Sequence, residues 1–214
     1  MHVGVALFFT DHSIRPAELA KALEERGFES LWAPEHSHIP LTRNSPWPQG
    51  GELPKKYFQV MDPFVTLTAA AGATTTLKVG TGICLVPQRD VFQTAKAVAS
   101  LDVISGGRFL FGVGAGWNTD EMINHGVDPS SRMKLMREKI EAMRIIWREE
   151  TAEYHGDLIN FGPMQTWPKL PAPPPVYLGG AFPYGARRAL RYADAWLPHA
   201  RRPTYHILDK LPEF

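Results

Sequence analysis

Six short apolar runs, each leading toward a stretch with helical punctuation, constrain this chain more than any other feature. They lie at residues 3–9, 28–33, 77–86, 108–113, 175–178 and 194–197. Their apolar residues are continuous and do not alternate with polar ones, the pattern of strands buried on both faces. A sheet of such strands is parallel and carries helices on its faces. The intervening segments predict helices at 15–26, 63–75, 91–104, 133–149 and 184–192. Ser13 and Asp62 stand where N-caps are expected, Pro16 and Pro63 fall in first turns, and Gly27 and Gly106-Gly107 follow C-terminal ends. In the 133–149 helix, Met136, Ile140, Met143 and Trp147 recur at steps of four, three and four. The pattern alone leaves two α/β architectures open, an open doubly wound sheet and a barrel.

An eight-stranded barrel typically takes ~250 residues. The 214-residue chain leaves no room after residue 197 for two further strand–helix units, and 206–214 reads as a helix that begins and stops. No shift in composition divides the chain, so residues 1–214 are expected to form one domain. The proline-rich run 168–175 reads as an extended connection. Hydrophobic residues at 44% and charged residues at 21% suit a folded globular domain. A net charge of +1 argues against a general nucleic-acid binder. No apolar stretch approaches the ~20 residues of a membrane span, and no secretory signal is evident at the N-terminus. A lone cysteine, Cys84, cannot form an internal disulfide and fits a reducing, cytoplasmic compartment. With no activating neighbour in sequence, Cys84 reads as a small buried apolar residue.

Four stretches carry candidate chemistry. "WAPEHSHIP" places Glu35, His36 and His38 where the second strand ends, and parallel α/β folds bind ligands at such ends. A histidine beside a carboxylate suits proton transfer, and a hydrated loop with locally satisfied groups is the alternative. His36 and His38 are two apart, and no other cysteine or histidine shows ligand spacing, so no metal site is expected. "FGVGAGWNTDE" (111–121) puts Gly112, Gly114 and Gly116 after a strand, either for close approach to a ring or phosphate or for a tight strand exit; no helix clearly opens at Gly116. "LKVGTGICLV" (77–86) contains two glycines that suggest a bulge or contact with something flat. "VYLGGAFPYGARRALRYA" (176–193) runs from a strand through Gly179-Gly180 into a helix whose first amides suit an anion. Arg187, Arg188 and Arg191 lie nearby, to meet such an anion or to face solvent.

Taken in order, "LWAPEHSHIP", "GTGICLV", "LDVISGGRFLFGVGAGWNTDE" and "PPVYLGG" resemble the bacterial luciferase-like superfamily, in particular its branch of oxidoreductases that use the deazaflavin coenzyme F420. The resemblance covers about residues 2–198 and implies a (β/α)₈ TIM barrel, here incomplete, with about six strands present and strands seven and eight missing. It implies hydride transfer between F420 and a small organic substrate. Glu35 matches an acidic position beside the deazaflavin ring, and His36 matches a proposed catalytic acid/base, with His38 in reserve. Gly82-Ile83 matches a bulge carrying a non-prolyl cis peptide behind the ring. Ala115, Gly116 and Asp120 match cofactor contacts, and Gly179 and Gly180 match phosphate contacts. Trp47, Trp117 and Phe182 are candidate substrate walls, and the loop 39–61 a candidate lid. Trp117 stands where sugar-phosphate-oxidising members carry a glutamate, which speaks against that substrate. Two alternatives follow from the same resemblance: an FMN-dependent monooxygenase, and a shortened, non-catalytic flavin-binding protein. An unclosed barrel exposes sheet edges, so pairing with a second copy as a homodimer is expected.

Overall fold

A computed structural model describes residues 2–199, 201–202, 205–210 and 212. Its main element is a parallel sheet of β1 (Gly4–Ala6), β2 (Ser30–Ala33), β3 (Lys78–Thr81), β5 (Phe109–Gly114), β8 (Val176–Gly180) and β9 (Ala195–Pro198), hydrogen-bonded in that order. A two-residue strand, β4 (Cys84–Leu85), continues β3 and pairs with β5, Cys84 opposite Val113 and Leu85 opposite Gly114. The sheet curls into a half-barrel, an incomplete TIM barrel. Consecutive strands are neighbours and parallel because a helix crosses over between each pair, the βαβ arrangement.

The helices lie outside: α1 (Pro16–Glu25), α3 (Pro63–Gly72), α4 (Val91–Ser105), α6 (Arg132–Arg148) and α7 (Tyr184–Tyr192). Their apolar faces meet the outward side chains of the strands. Leu31, Val79, Phe109, Phe111, Val113, Val176 and Leu178 are buried against Leu67, Val98, Leu101, Ile140, Met143 and Trp147 in one apolar cluster. The four positions singled out by periodicity in the 133–149 segment are all in it. The Trp147 indole N–H also donates to the carbonyl of Ala95 at 2.9 Å, pinning α6 to α4.

Inside the curl the strands carry glycine where the Trp32 ring needs space. A methyl on Gly80 would come within 2.5 Å of that ring, and one on Gly112 within 1.8 Å of the Thr81 carbonyl oxygen. The flat object behind the β3 glycines is therefore in part the protein's own tryptophan, which packs edge-on to Tyr177 at 5.6 Å.

Several elements differ from the sequence reading. The 77–86 run is not one strand: the backbone breaks at Gly82-Ile83, whose peptide bond is cis, and pairing resumes at Cys84. Strand β1 is short and largely exposed despite its apolar sequence, because among the described residues it is the edge of the sheet, paired on one side with β2. Ser13 does not cap α1. Its hydroxyl closes a tight turn by donating to the Thr10 carbonyl, and Arg15 is the N-cap of α1, without a side-chain cap bond and with Pro16 in the first turn. Asp62 does cap α3, accepting from the amides of Phe64 and Val65.

Two short helices lie outside the expected elements, α2 (Lys56–Gln59) within the long loop and α5 (Thr119–Asn124) soon after Gly116. So does an antiparallel hairpin of β6 (Ala152–His155) and β7 (Asn160–Met164). The tail expected as a helix from residue 206 instead shows a small antiparallel pair, β10 (Arg201–Arg202) with β11 (Tyr205–His206), and a 3₁₀ turn at Ile207–Asp209. Residues 211, 213 and 214 of that expectation lie outside the described residues. Among the described residues no helix is long and apolar enough to cross a membrane.

Candidate active site

The C-terminal ends of the strands open into a cavity of about 650 Å³, within the usual range for small-molecule sites. Each wall comes from one strand exit. Pro34, Glu35 and His36 follow β2, Gly82 and Ile83 separate β3 from β4, Ala115 to Trp117 follow β5, and Gly179 to Ala181 end β8. The first turns of α7 add Tyr184, Gly185 and Arg188, and the long loop adds Tyr57.

Glycine shapes this space. The Ile83 side chain lies where Gly114 and Gly179 carry no side chain: a methyl on Gly114 would come within 1.8 Å of its Cδ1, and one on Gly179 within 2.9 Å of its Cγ2. Gly180 and Gly185 approach one another so closely that a methyl on Gly185 would meet the Gly180 carbonyl carbon at 2.5 Å. That contact seats the start of α7 at the cavity rim. Gly116 has φ +81°, a conformation that a side chain would strain.

His36 is held on both ring nitrogens. Its Nδ1 lies 2.8 Å from Oε2 of Glu121, a fully buried carboxylate on α5. Its Nε2 receives the Trp117 indole N–H at 3.3 Å. An indole nitrogen can only donate, so Nε2 is the acceptor and the ring proton sits on Nδ1, facing the carboxylate. The ring is also enclosed by Tyr57 (centroid distance 5.5 Å) and Trp117 (5.7 Å).

Glu35 lines the cavity but is turned away from the histidine. Its carboxylate accepts from the amide of Leu85 at 2.6 Å and from Arg89. Arg89 also reaches Asp62 at 2.6 Å and stacks on Phe64 at 4.7 Å. Burial works against the Arg89 charge, and the adjacent Glu35 and Asp62 carboxylates outweigh it and raise its pKa. Glu35 thus ties the β2 exit to the segment following the cis peptide, and Lys139 holds that segment's other side by donating to the carbonyls of Pro87 and Arg89.

Of the residues proposed from sequence, the fold gathers Glu35, His36, Gly82, Ile83, Ala115, Gly116, Trp117, Gly179 and Gly180 around one cavity. Four others do not line it. Asp120 accepts from Thr42 Oγ1 at 2.6 Å and from the Asn44 amide at 3.0 Å, anchoring the long loop. Trp47 packs edge-on to Tyr57 at 5.9 Å and borders a smaller neighbouring cavity of about 280 Å³. Phe182 lies against Trp196 at 6.3 Å, next to the cis bond to Pro183. His38 turns toward α5, its Nδ1 2.9 Å from Ser37 Oγ and its Nε2 3.0 Å from the Asn124 amide nitrogen.

The sequence reading missed Glu121, Tyr57 and Arg89. Glu121 follows Asn118 by three, and Asn118 caps α5 by accepting from the amides of Asp120 and Glu121, so the capping spacing was its one available signal. Cys84 is fully buried, and burial raises its thiol pKa well above the usual value, the opposite of an activated nucleophile.

Residues 10–214, which include all of these strand-end loops, match the luciferase-like monooxygenase family. The chain belongs to it. It is 40% identical over 209 residues to an uncharacterized protein of Mycobacterium tuberculosis, covering 94% of this chain and 73% of the relative. It is 29% identical to an F420-dependent hydroxymycolic acid dehydrogenase of the same organism, covering 93% of this chain and 53% of that one. Among solved structures, a monooxygenase from Streptomyces bottropensis superposes with a TM-score of 0.75 at 26% identity, over 89% of this chain and 57% of the other. An F420-dependent secondary alcohol dehydrogenase superposes at 0.76 and 24% identity, over 99% and 63%, a likeness of fold. The chain thus spans a little over half the length of several proteins it matches.

Proposed function

We propose that this chain carries the cofactor site of an F420-dependent oxidoreductase that exchanges a hydride with a small organic substrate. The observation that carries the reading is His36, fixed in one tautomer at the wall of a cavity whose floor is Ile83 set among glycines. A flat heterocycle needs such a floor, and the missing side chains at Gly114 and Gly179 make room for the Ile83 side chain that forms it. Ala115 and Gly116 would bound the ring at the β5 exit. Gly179, Gly180 and Arg188 would meet an anionic tail at the N-terminus of α7. Among the described residues no carboxylate pairs with Arg188, which leaves its charge for such a tail.

When bound, a deazaflavin supplies two-electron hydride exchange at its central ring. The protein's own residues do the rest. His36 accepts or returns the substrate proton at Nε2 once the Trp117 indole N–H has swung off that nitrogen, while Glu121 accepts from Nδ1 and stabilises the ring when it carries charge. Tyr57 and Trp117 exclude water from that face. Glu35 acts through Arg89 and Leu85 to hold the backbone beneath the ring, and Asp120 acts by holding the long loop in place.

Relatives of the same fold are monooxygenases, one of them in complex with FMN, so FMN is the competing cofactor. Titrating the chain with F420 and, separately, with FMN while following ring fluorescence decides between them. F420 is expected to bind. Saturable binding of FMN alone, or of neither, would overturn the reading. His36→Ala is expected to keep cofactor affinity within about threefold and to lose hydride transfer by roughly 10²-fold or more. An unchanged transfer rate would remove the role given to His36.

A further inference from the structure

Beside the cofactor cavity, and separate from it, the fold assembles a second group of chemically capable side chains. His38 comes from the loop after β2, and Glu121 and His125 come from α5 and its C-terminal cap. Each offers one ligand atom, and the three atoms lie within 4.8 Å of one another. Glu121 and His125 are four apart, the spacing that puts two side chains on one helical face. Nδ1 of His38 and Nε2 of His125 converge on a single point, the hydroxyl oxygen of Ser37, at 2.9 and 2.7 Å. Oε1 of Glu121 lies 3.5 Å from the same oxygen.

We propose that His38, Glu121 and His125 form a binding site for a divalent transition metal of the zinc class. Two imidazole nitrogens and one carboxylate oxygen suit zinc, cobalt or nickel, whereas magnesium and calcium favour all-oxygen sets. Three protein ligands leave a fourth position for water or for Ser37 Oγ. A tetrahedral zinc centre with bonds of ~2.0–2.1 Å sets its ligand atoms ~3.4 Å apart. Reaching that spacing takes a movement of about 1 Å or a little more, and turning Ser37 Oγ out of the centre. His125 is exposed at the end of a short helix and Ser37 is exposed in a loop, so both can move without disturbing the core.

The surroundings supply an outer shell. The Asn124 amide meets the far nitrogen of His38, where its oxygen can accept a ring N–H once Nδ1 holds metal. Glu121 keeps its second oxygen on His36 Nδ1. The metal would therefore sit one carboxylate away from His36, at the outer end of the group that orients it. Among the described residues the buried Glu121 carboxylate meets His36 and the amide and hydroxyl of Ser37, and a metal adds a cation there.

The test uses the untagged, chelator-stripped full chain and cobalt(II) as the probe, needs no cofactor, and so stands or falls apart from the proposed function. Cobalt is expected to bind with a stoichiometry of about one per chain and to give the visible absorption of a four- or five-coordinate N/O site. Zinc is expected to displace it. His125→Ala, an exposed substitution that leaves the core intact, should weaken binding by roughly 10²-fold, and His38→Ala should do the same. His155→Ala, remote on the β6–β7 hairpin, should leave it unchanged. Absence of saturable cobalt binding at micromolar concentration, or binding that survives both His38→Ala and His125→Ala, overturns the proposal.

Discussion

Gly112 and Gly114 lie two residues apart on β5 and face the same interior, yet the structure separates the consequences of adding one methyl to each. At Gly112 the methyl would stand 1.8 Å from the Thr81 carbonyl oxygen and 3.0 Å from the carbonyl carbon. That obstacle is backbone, held in the sheet and further tied by the Thr81 hydroxyl donating to the Gly112 carbonyl at 2.6 Å. To restore an ordinary contact, β3 and β5 must separate by more than an ångström, so the upper end of overpacking costs applies, about 3 kcal/mol or more. At Gly114 the obstacle is Cδ1 of Ile83, the free end of a side chain, also at 1.8 Å. Ile83 can leave its rotamer for about 1 kcal/mol, but the direction open to it is the cavity.

Gly112→Ala is therefore expected to lower the midpoint of thermal unfolding by roughly 6–12 °C, and Gly114→Ala by about 2–4 °C. Gly114→Ala should also weaken binding of the proposed cofactor more than its stability loss suggests, because its cost is displaced into the cavity. Gly72→Ala, at the end of α3 with nothing within 4 Å of the new methyl, should gain about 0.5–1 kcal/mol. Thermal melts followed by circular dichroism measure all three. Gly112→Ala proving as mild as Gly114→Ala would refute the claim that backbone against side chain decides the outcome.

Two further predictions concern ionisable groups. Glu24 accepts from the amides of Thr75, Thr76 and Leu77 and from the Thr76 hydroxyl, tying α1 to the turn before β3. The Thr76 amide foremost lowers its pKa from 4.5 to about 2. A depressed carboxylate contributes stability that is complete above pH 4.5 and is lost as pH falls through about 2. Glu24→Gln should remove stability at neutral pH and flatten its fall between those values in urea titrations; an unchanged pH slope would contradict the assignment. Glu35→Ala leaves a partly buried Arg89 with Asp62 and the Phe64 ring as its partners among the described residues, and should cost about 3 kcal/mol, read from urea unfolding. A loss below about 0.5 kcal/mol, the range of ordinary surface changes, would show that the ion pair does not hold the β3–β4 break.

The amino-acid sequence by itself determined the order of the main strands and helices, because burial on both faces leaves an uninterrupted apolar signature and because Asp62, Gly27 and Gly106 act through their own local chemistry. It also placed Glu35, His36, Gly116 and Gly180 near strand ends, where parallel sheets open toward ligands. The hairpin at Ala152–Met164 escaped because its strands are short and half polar, and the break at Gly82-Ile83 because an apolar run does not report a change in backbone direction. Partnership was decided only in three dimensions. Glu121 orients His36 across 85 residues, Arg89 claims Glu35 across 54, and His125 meets Ser37 across 88. Hydrogen bonds between side chains depend on directions set by the curl of the sheet and the docking of α5, and no local pattern encodes those.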